Sequence, residues 1–90
     1  MPKVKFTYAL KRFYPDLDTL ELNAATVNEI LPTLEEKFPG ICAYIVDDQG
    51  SLRKHVNIFV DGKLIEDKKS LSDQVQDNSE VYIFQALSGG

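Results

Sequence analysis

Apolar and polar residues alternate along residues 3–10, where Val4, Phe6 and Tyr8 are interleaved with Lys5, Thr7 and Ala9. A period of two with one apolar face predicts a half-buried β-strand. Residues 11–16 read as a loop in which Pro15 ends regular structure. A second strand is expected over residues 19–23, with Leu20 and Leu22 on one side and Thr19 and Glu21 on the other. The short connection makes these two strands a hairpin. The period then changes: Val27, Ile30, Leu31, Leu34 and Phe38 share one helical face. Thr26 and Glu29 fit a capping box at the start of this helix, and Pro39-Gly40 ends it. Pro32 is the discordant residue. A proline inside a helix loses a hydrogen bond and crowds the preceding turn, at about 3 kcal/mol. A kink or an irregular first turn is therefore expected.

Residues 41–54 form a longer connection, partly packed through Ile41, Ala43, Tyr44 and Ile45, with an exposed turn at Asp47-Asp48-Gln49-Gly50. A third strand is expected over residues 55–60. Asp61-Gly62 fits a type I′ hairpin turn into a short fourth strand over residues 63–65. Ser70 is placed to cap one helical turn through Leu71 and Val75, and Asp77-Asn78-Ser79 turns the chain into a final strand, residues 80–85. Two hairpins around one helix, closed by a last strand, describe an α+β, β-grasp domain. Its mixed sheet of four to five strands packs on one main helix, with the first and last strands as parallel neighbours in the centre. Residues 1–85 make this domain, and residues 86–90 an extended tail.

The same alternation makes a surface prediction. If Val56, Ile58, Val60, Val81 and Ile83 face the helix, then Phe59, Tyr82 and Phe84 face outward. With the third and last strands adjacent, these aromatics form one exposed apolar patch beside the tail. Such patches mark binding surfaces; the alternative is that the 41–54 connection or a second copy covers them.

Composition narrows the function classes. A chain of 90 residues makes one small domain. The net charge of −4 and the scattered basic residues (Lys3 and Lys5, Lys11-Arg12, Lys68-Lys69) argue against nucleic-acid binding. Acidic residues gather in the second half, at Glu66, Asp67, Asp73, Asp77 and Glu80. They read as a solubility device or as an acidic rim for a basic partner. No apolar targeting stretch or membrane-length run follows Met1, so no membrane association and a cytoplasmic location are the default expectations. The single cysteine, Cys42, and the single histidine, His55, give no support to a metal site, a dithiol pair or an internal disulfide. Cys42 reads as a small packed residue, His55 as a surface residue at a strand end, and Tyr14 as loop packing.

The sequence ends in Ala86-Leu87-Ser88-Gly89-Gly90. Glycine, lacking Cβ, fits a narrow slot and leaves the terminal carbonyl unshielded. Five extended residues reach about 16 Å at ~3.3 Å each, enough to thread another protein's tunnel. Together with His55-Val56-Asn57-Ile58-Phe59-Val60-Asp61-Gly62, the run from Asp77 to Phe84, and the helix ending Phe38-Pro39-Gly40, this tail resembles the MoaD/ThiS-type ubiquitin-like sulfur carriers. The resemblance covers essentially the whole length.

It implies a mechanism. An adenylating enzyme of the ubiquitin-activating type would use ATP and magnesium to activate the Gly90 carboxylate. A sulfur donor would convert the adenylate to a thiocarboxylate, and a downstream synthase or sulfurtransferase would receive the sulfur. Leu87, Ser88 and Gly89 would form the tail that delivers Gly90; Phe59, Tyr82 and Phe84 would dock the partner. The chain itself is expected to be a co-substrate, not an enzyme, and no nucleophile–base pair is evident. It could serve as the small subunit of a synthase complex. Molybdopterin synthesis, cysteine synthesis and tRNA thiolation are possible destinations, with the segment 52–58 closest to the cysteine-type carriers. Two further functions stand beside carriage. Gly90 could be conjugated to lysines as a protein modifier, or the chain could be a non-covalent β-grasp adaptor.

Overall fold

Alternation is cleanest in Glu80–Gln85, and this segment becomes the strand about which the sheet is assembled, β5. In the computed structural model, which describes residues 1–85, β5 lies between β1 (Lys3–Phe6) and β3 (Val56–Val60). Short edge strands β2 (Leu20–Glu21) and β4 (Lys63–Leu64) complete the order β2-β1-β5-β3-β4. β1 and β5 run parallel, and the other pairings are antiparallel. The first and last strands are thus the central parallel neighbours that the pattern predicts. At the β3–β4 turn, Asp61 and Gly62 both have positive φ, 52° and 83°, as a type I′ turn requires.

One face of this sheet is covered by α2 (Ile30–Lys37), entered through a 3₁₀ turn, Val27–Glu29. Pro32 lies in the opening turn of α2, where helical N–H groups lack partners in any case, so the missing donor is tolerated. The irregular entry expected from Pro32 is this 3₁₀ turn. Val27, Ile30 and Leu34 from the helix meet Val4, Val56, Ile58, Val81 and Ile83 from the sheet in one buried cluster. Leu31 and Phe38 pack against its margin.

The structure departs from the pattern in three places. β1 stops at Phe6, and residues 8–11 form a helical turn, α1 (Tyr8–Lys11), instead of continuing the strand. Ala9 and Leu10 are adjacent and both buried, which a strand with one solvated face cannot arrange. The capping box does not form. The Thr26 hydroxyl donates to Asn28 Oδ1, and Glu29 Oε1 accepts from the N–H of Ala25. Instead, Val27 and Asn28 N–H groups donate to the carbonyls of Asp73 and Leu71, at 3.0 and 2.9 Å. The third departure explains the second. No helical turn capped by Ser70 is present. The stretch from Leu71 to Val75 is irregular, Leu71 has φ of 54°, and its carbonyls satisfy the start of the main helix.

Residues 41–54 are packed in part, as expected: Ile41 and Ile45 are buried, the latter on α3 (Cys42–Ile45). The exposed turn is closed by Asp47 Oδ1, which accepts from Gln49 and Ser51 N–H, with Gly50 at φ of 82°.

Candidate functional site

β3 and β5 pair over five residues, so the side of the sheet away from α2 carries rows of side chains in fixed register. One row crosses four strands: Lys5, Tyr82, Phe59 and Leu64 are successive cross-strand partners. In the next row Phe84 stands opposite Asn57. Tyr82 and Phe84 have their rings 6.4 Å apart and expose 38% and 41% of their surface, whereas their strand neighbours Val81 and Ile83 are buried. Phe59 is half-buried. The structure therefore brings the three sequence-predicted aromatics onto one outward face, where Tyr82 and Phe84 remain exposed. Leu64, 43% exposed, extends the patch to the sheet edge. Sequence reasoning missed it because β4 is too short to show alternation, although its register with Phe59 follows from the Asp61-Gly62 turn.

A charged rim borders the aromatics. Lys5 Nζ contacts Glu80 Oε1 at 2.6 Å, and this ammonium holds the Glu80 carboxyl below the usual carboxylate range. Asp61 accepts from Glu80 N–H at 2.9 Å and from the buried Ser79 hydroxyl at 2.8 Å; the two bonds lower its pKa, the backbone one more strongly. Lys5, Phe59, Asp61, Gly62, Glu80 and Tyr82 line a depression of about 500 Å³. An apolar floor with one cation and two anions at its wall can seat a partner's aliphatic side chain and read neighbouring charge; it offers no nucleophile.

Thr7 sits where β5 ends. Its hydroxyl accepts from Gln85 N–H at 3.1 Å and donates to the Gln85 carbonyl at 3.3 Å. Leu87, Ser88, Gly89 and Gly90, assigned from sequence to the tail and its reactive end, lie outside the described residues.

The remaining candidates have structural surroundings. Cys42 is half-buried; its thiol donates to the Leu31 carbonyl at 3.2 Å, and its pKa is pushed up to about 11, first by burial and then by the Glu35 carboxylate. Tyr14 donates to the Pro39 carbonyl and packs edge-on against Phe38 and Tyr44. His55 is exposed just before β3. Among the described residues, no group of His, Cys, Asp and Glu is arranged to hold a metal ion, and no helix is long and apolar enough to cross a membrane. Sequence reasoning also missed two further exposed aromatics, Tyr8 and Phe13, the latter stacked on Tyr44 at 5.0 Å.

Comparison with known proteins places this geometry. Residues 4–90 match the ThiS family. Small archaeal modifier protein 3 of Haloferax volcanii is 27% identical over 66 residues, covering 73% of this chain and 71% of that protein. A chain from the crystal structure of the Amycolatopsis orientalis BexX/CysO complex superposes with a TM-score of 0.84 at 26% identity, over 100% of both chains. Small archaeal modifier protein 1 of Methanosarcina acetivorans superposes with a TM-score of 0.77 at 27% identity, over 99% of this chain and 95% of that one.

Proposed function

Because the chain belongs to the ThiS family of small ubiquitin-like carrier and modifier proteins, we propose that it is a sulfur carrier whose acyl site is the carboxylate of Gly90. A carboxylate resists nucleophiles because its charge repels them and it has no good leaving group. An adenylating enzyme would supply both remedies with ATP and magnesium: the Gly90 oxygen attacks the α-phosphorus, pyrophosphate leaves, and an acyl-adenylate remains. A sulfide equivalent from a donor then forms the C–S bond as the C–O bond to phosphate breaks and AMP departs. The thiocarboxylate is the cargo handed to a downstream synthase or sulfurtransferase.

The observation that supports this reading best is the position of β5. It is the central strand, its outward face carries Tyr82 and Phe84, and it ends at Gln85, separated by three residues from Gly89-Gly90 in the sequence. Tyr82 and Phe84 therefore lie on the strand that precedes the tail in sequence, so an enzyme that grips Tyr82 and Phe59 has the acyl site within a known chain length. Likeness to a chain of the BexX/CysO complex supports a carrier that works by binding a second protein. Incubation of the carrier with an activating enzyme, ATP, magnesium and a sulfide donor should give an oxygen-to-sulfur mass gain confined to the C-terminal peptide. A chain that stays unmodified when recovered from cells starved of the pathway product, with no phenotype on deleting Gly89 and Gly90, would sink carriage.

Protein modification is the second reading, favoured by the likeness to small archaeal modifier protein 3. It shares the adenylate and differs in the nucleophile, a lysine amine. Isopeptide-linked Gly-Gly remnants on target lysines would establish it.

A further inference from the structure

The β1–β5 ladder ends in an unusual way. Lys3 N–H donates to the Ser79 carbonyl at 3.0 Å, and Thr7 N–H donates to the Ile83 carbonyl at 3.3 Å. In a parallel ladder the next rung would run from Gln85 N–H to the Thr7 carbonyl. That carbonyl has turned into α1, where the Lys11 N–H takes it at 3.4 Å. The Thr7 hydroxyl replaces it. One oxygen both accepts from Gln85 N–H and donates to the Gln85 carbonyl, at 3.1 and 3.3 Å, using the donor and acceptor capacity of a hydroxyl at once. A residue without a side-chain hydroxyl would leave both backbone groups of Gln85 without a partner among the described residues, at the point where the tail begins. Gln85 also occupies an inward position of β5, opposite Val56, with its side-chain Oε1 buried and unpartnered among the described residues. Its inward side chain does not replace the Thr7 clamp.

We infer that Thr7 is a positioning residue for the acyl tail: its hydroxyl clamps Gln85 on both backbone groups and so fixes where, and in which direction, the chain leaves the sheet. The inference rests on the reading of Gly90 as the adenylated group. A clamped Gln85 reduces the orientations the tail must sample before the carboxylate meets ATP, which bears on turnover and not on docking. Docking belongs to Phe59 and Tyr82, on other residues of the sheet.

The test uses the full chain with T7V, which keeps the shape and loses the hydroxyl, and T7S, which keeps the hydroxyl. In the free carrier, exchange of the Gln85 amide should quicken by about threefold to tenfold in T7V, the scale of one lost hydrogen bond, and remain near wild type in T7S. Core amides of Ile58 and Ile83 serve as the internal control for folding. In carrier-dependent ATP–pyrophosphate exchange by the activating enzyme, T7V should lower kcat by about threefold to tenfold with KM within about twofold, and T7S should restore kcat. Faster Gln85 exchange with unchanged kcat makes the clamp purely structural and overturns the inference. So does a rise in KM at constant kcat, which would put the hydroxyl in the docking surface, or equal Gln85 exchange in all three proteins. If wild type itself supports no pyrophosphate exchange with any adenylating enzyme of the host, the Gly90 reading fails and the positioning role falls with it.

Discussion

Two regions of this small domain are held by different forces. The centre of the sheet, where β5 meets β1 and β3, is a regular ladder with a dry apolar floor: Val81 and Ile58 are fully buried, and Ile83 nearly so. Residues 65–79 have almost no ladder. Their backbone is gathered by carboxylates: Asp67 accepts from the N–H groups of Lys69, Ser70 and Ser72 and from the Ser72 hydroxyl, while Asp73 accepts from those of Glu66 and Asp67. Only Ile65, Leu71 and Val75 anchor this stretch in the core. Apolar burial gives the first region stability indifferent to pH. The second depends on charge in aspartates, and it supplies the carbonyls that start the main helix.

The comparison can be broken most forcefully from the sheet side. Ile83→Ala should cost about 2–5 kcal/mol, because a truncated core residue leaves a cavity as well as losing transfer energy. Urea unfolding should show a lower midpoint, and a loss under about 1 kcal/mol would mean that the site collapses around the gap.

Acid sharpens the contrast from the other side. Asp67 is held at about 2, against an ordinary 3.8, chiefly by the Ser72 hydroxyl and then by the Ser70 N–H. Its folded pKa lies below its unfolded one, so its contribution is complete above the unfolded value and is lost as pH falls from about 4 toward 2. The melting temperature should fall across that window, and Asp67→Asn should flatten the fall. Amide exchange should rise first at Ser70 and Ser72 while Ile58 and Ile83 stay protected. Simultaneous loss at both sets would merge the two regions into one cooperative unit.

The smallest effect on stability should come from the outward face of the same strand. Tyr82→Ala, replacing an exposed ring, should shift stability by no more than about 0.5 kcal/mol. The same change should raise the carrier's KM for its activating enzyme by about tenfold or more, as truncation of an interface aromatic does. Unchanged KM would remove the patch from the docking surface.

Much of this was legible from residue spacing. β3, β5, the Asp61-Gly62 turn and the helical face from Val27 to Phe38 each satisfy one period or one turn rule locally. The outward aromatics followed, since alternation fixes both faces of a strand at once. Residues 7–11 and 66–75 were not legible, for different reasons: α1 closes on local bonds behind a strand-like start, whereas the carbonyls of Leu71 and Asp73 find partners at Asn28 and Val27, far away in sequence. Thr7 leaves the strand because its carbonyl enters α1, and Leu71 adopts a left-handed backbone while its carbonyl receives Asn28 N–H.

Cys42 carries a last consequence. A protein proposed to present an activated acyl group, and then acyl sulfur, faces a hazard from its own thiol, which could capture the adenylate as a thioester or exchange with the incoming donor. Here the thiol is bonded to the Leu31 carbonyl beside the Glu35 carboxylate, and its pKa of about 11 leaves it protonated at neutral pH. Since the thiolate is the nucleophile, the chain's one cysteine is kept chemically silent toward the cargo.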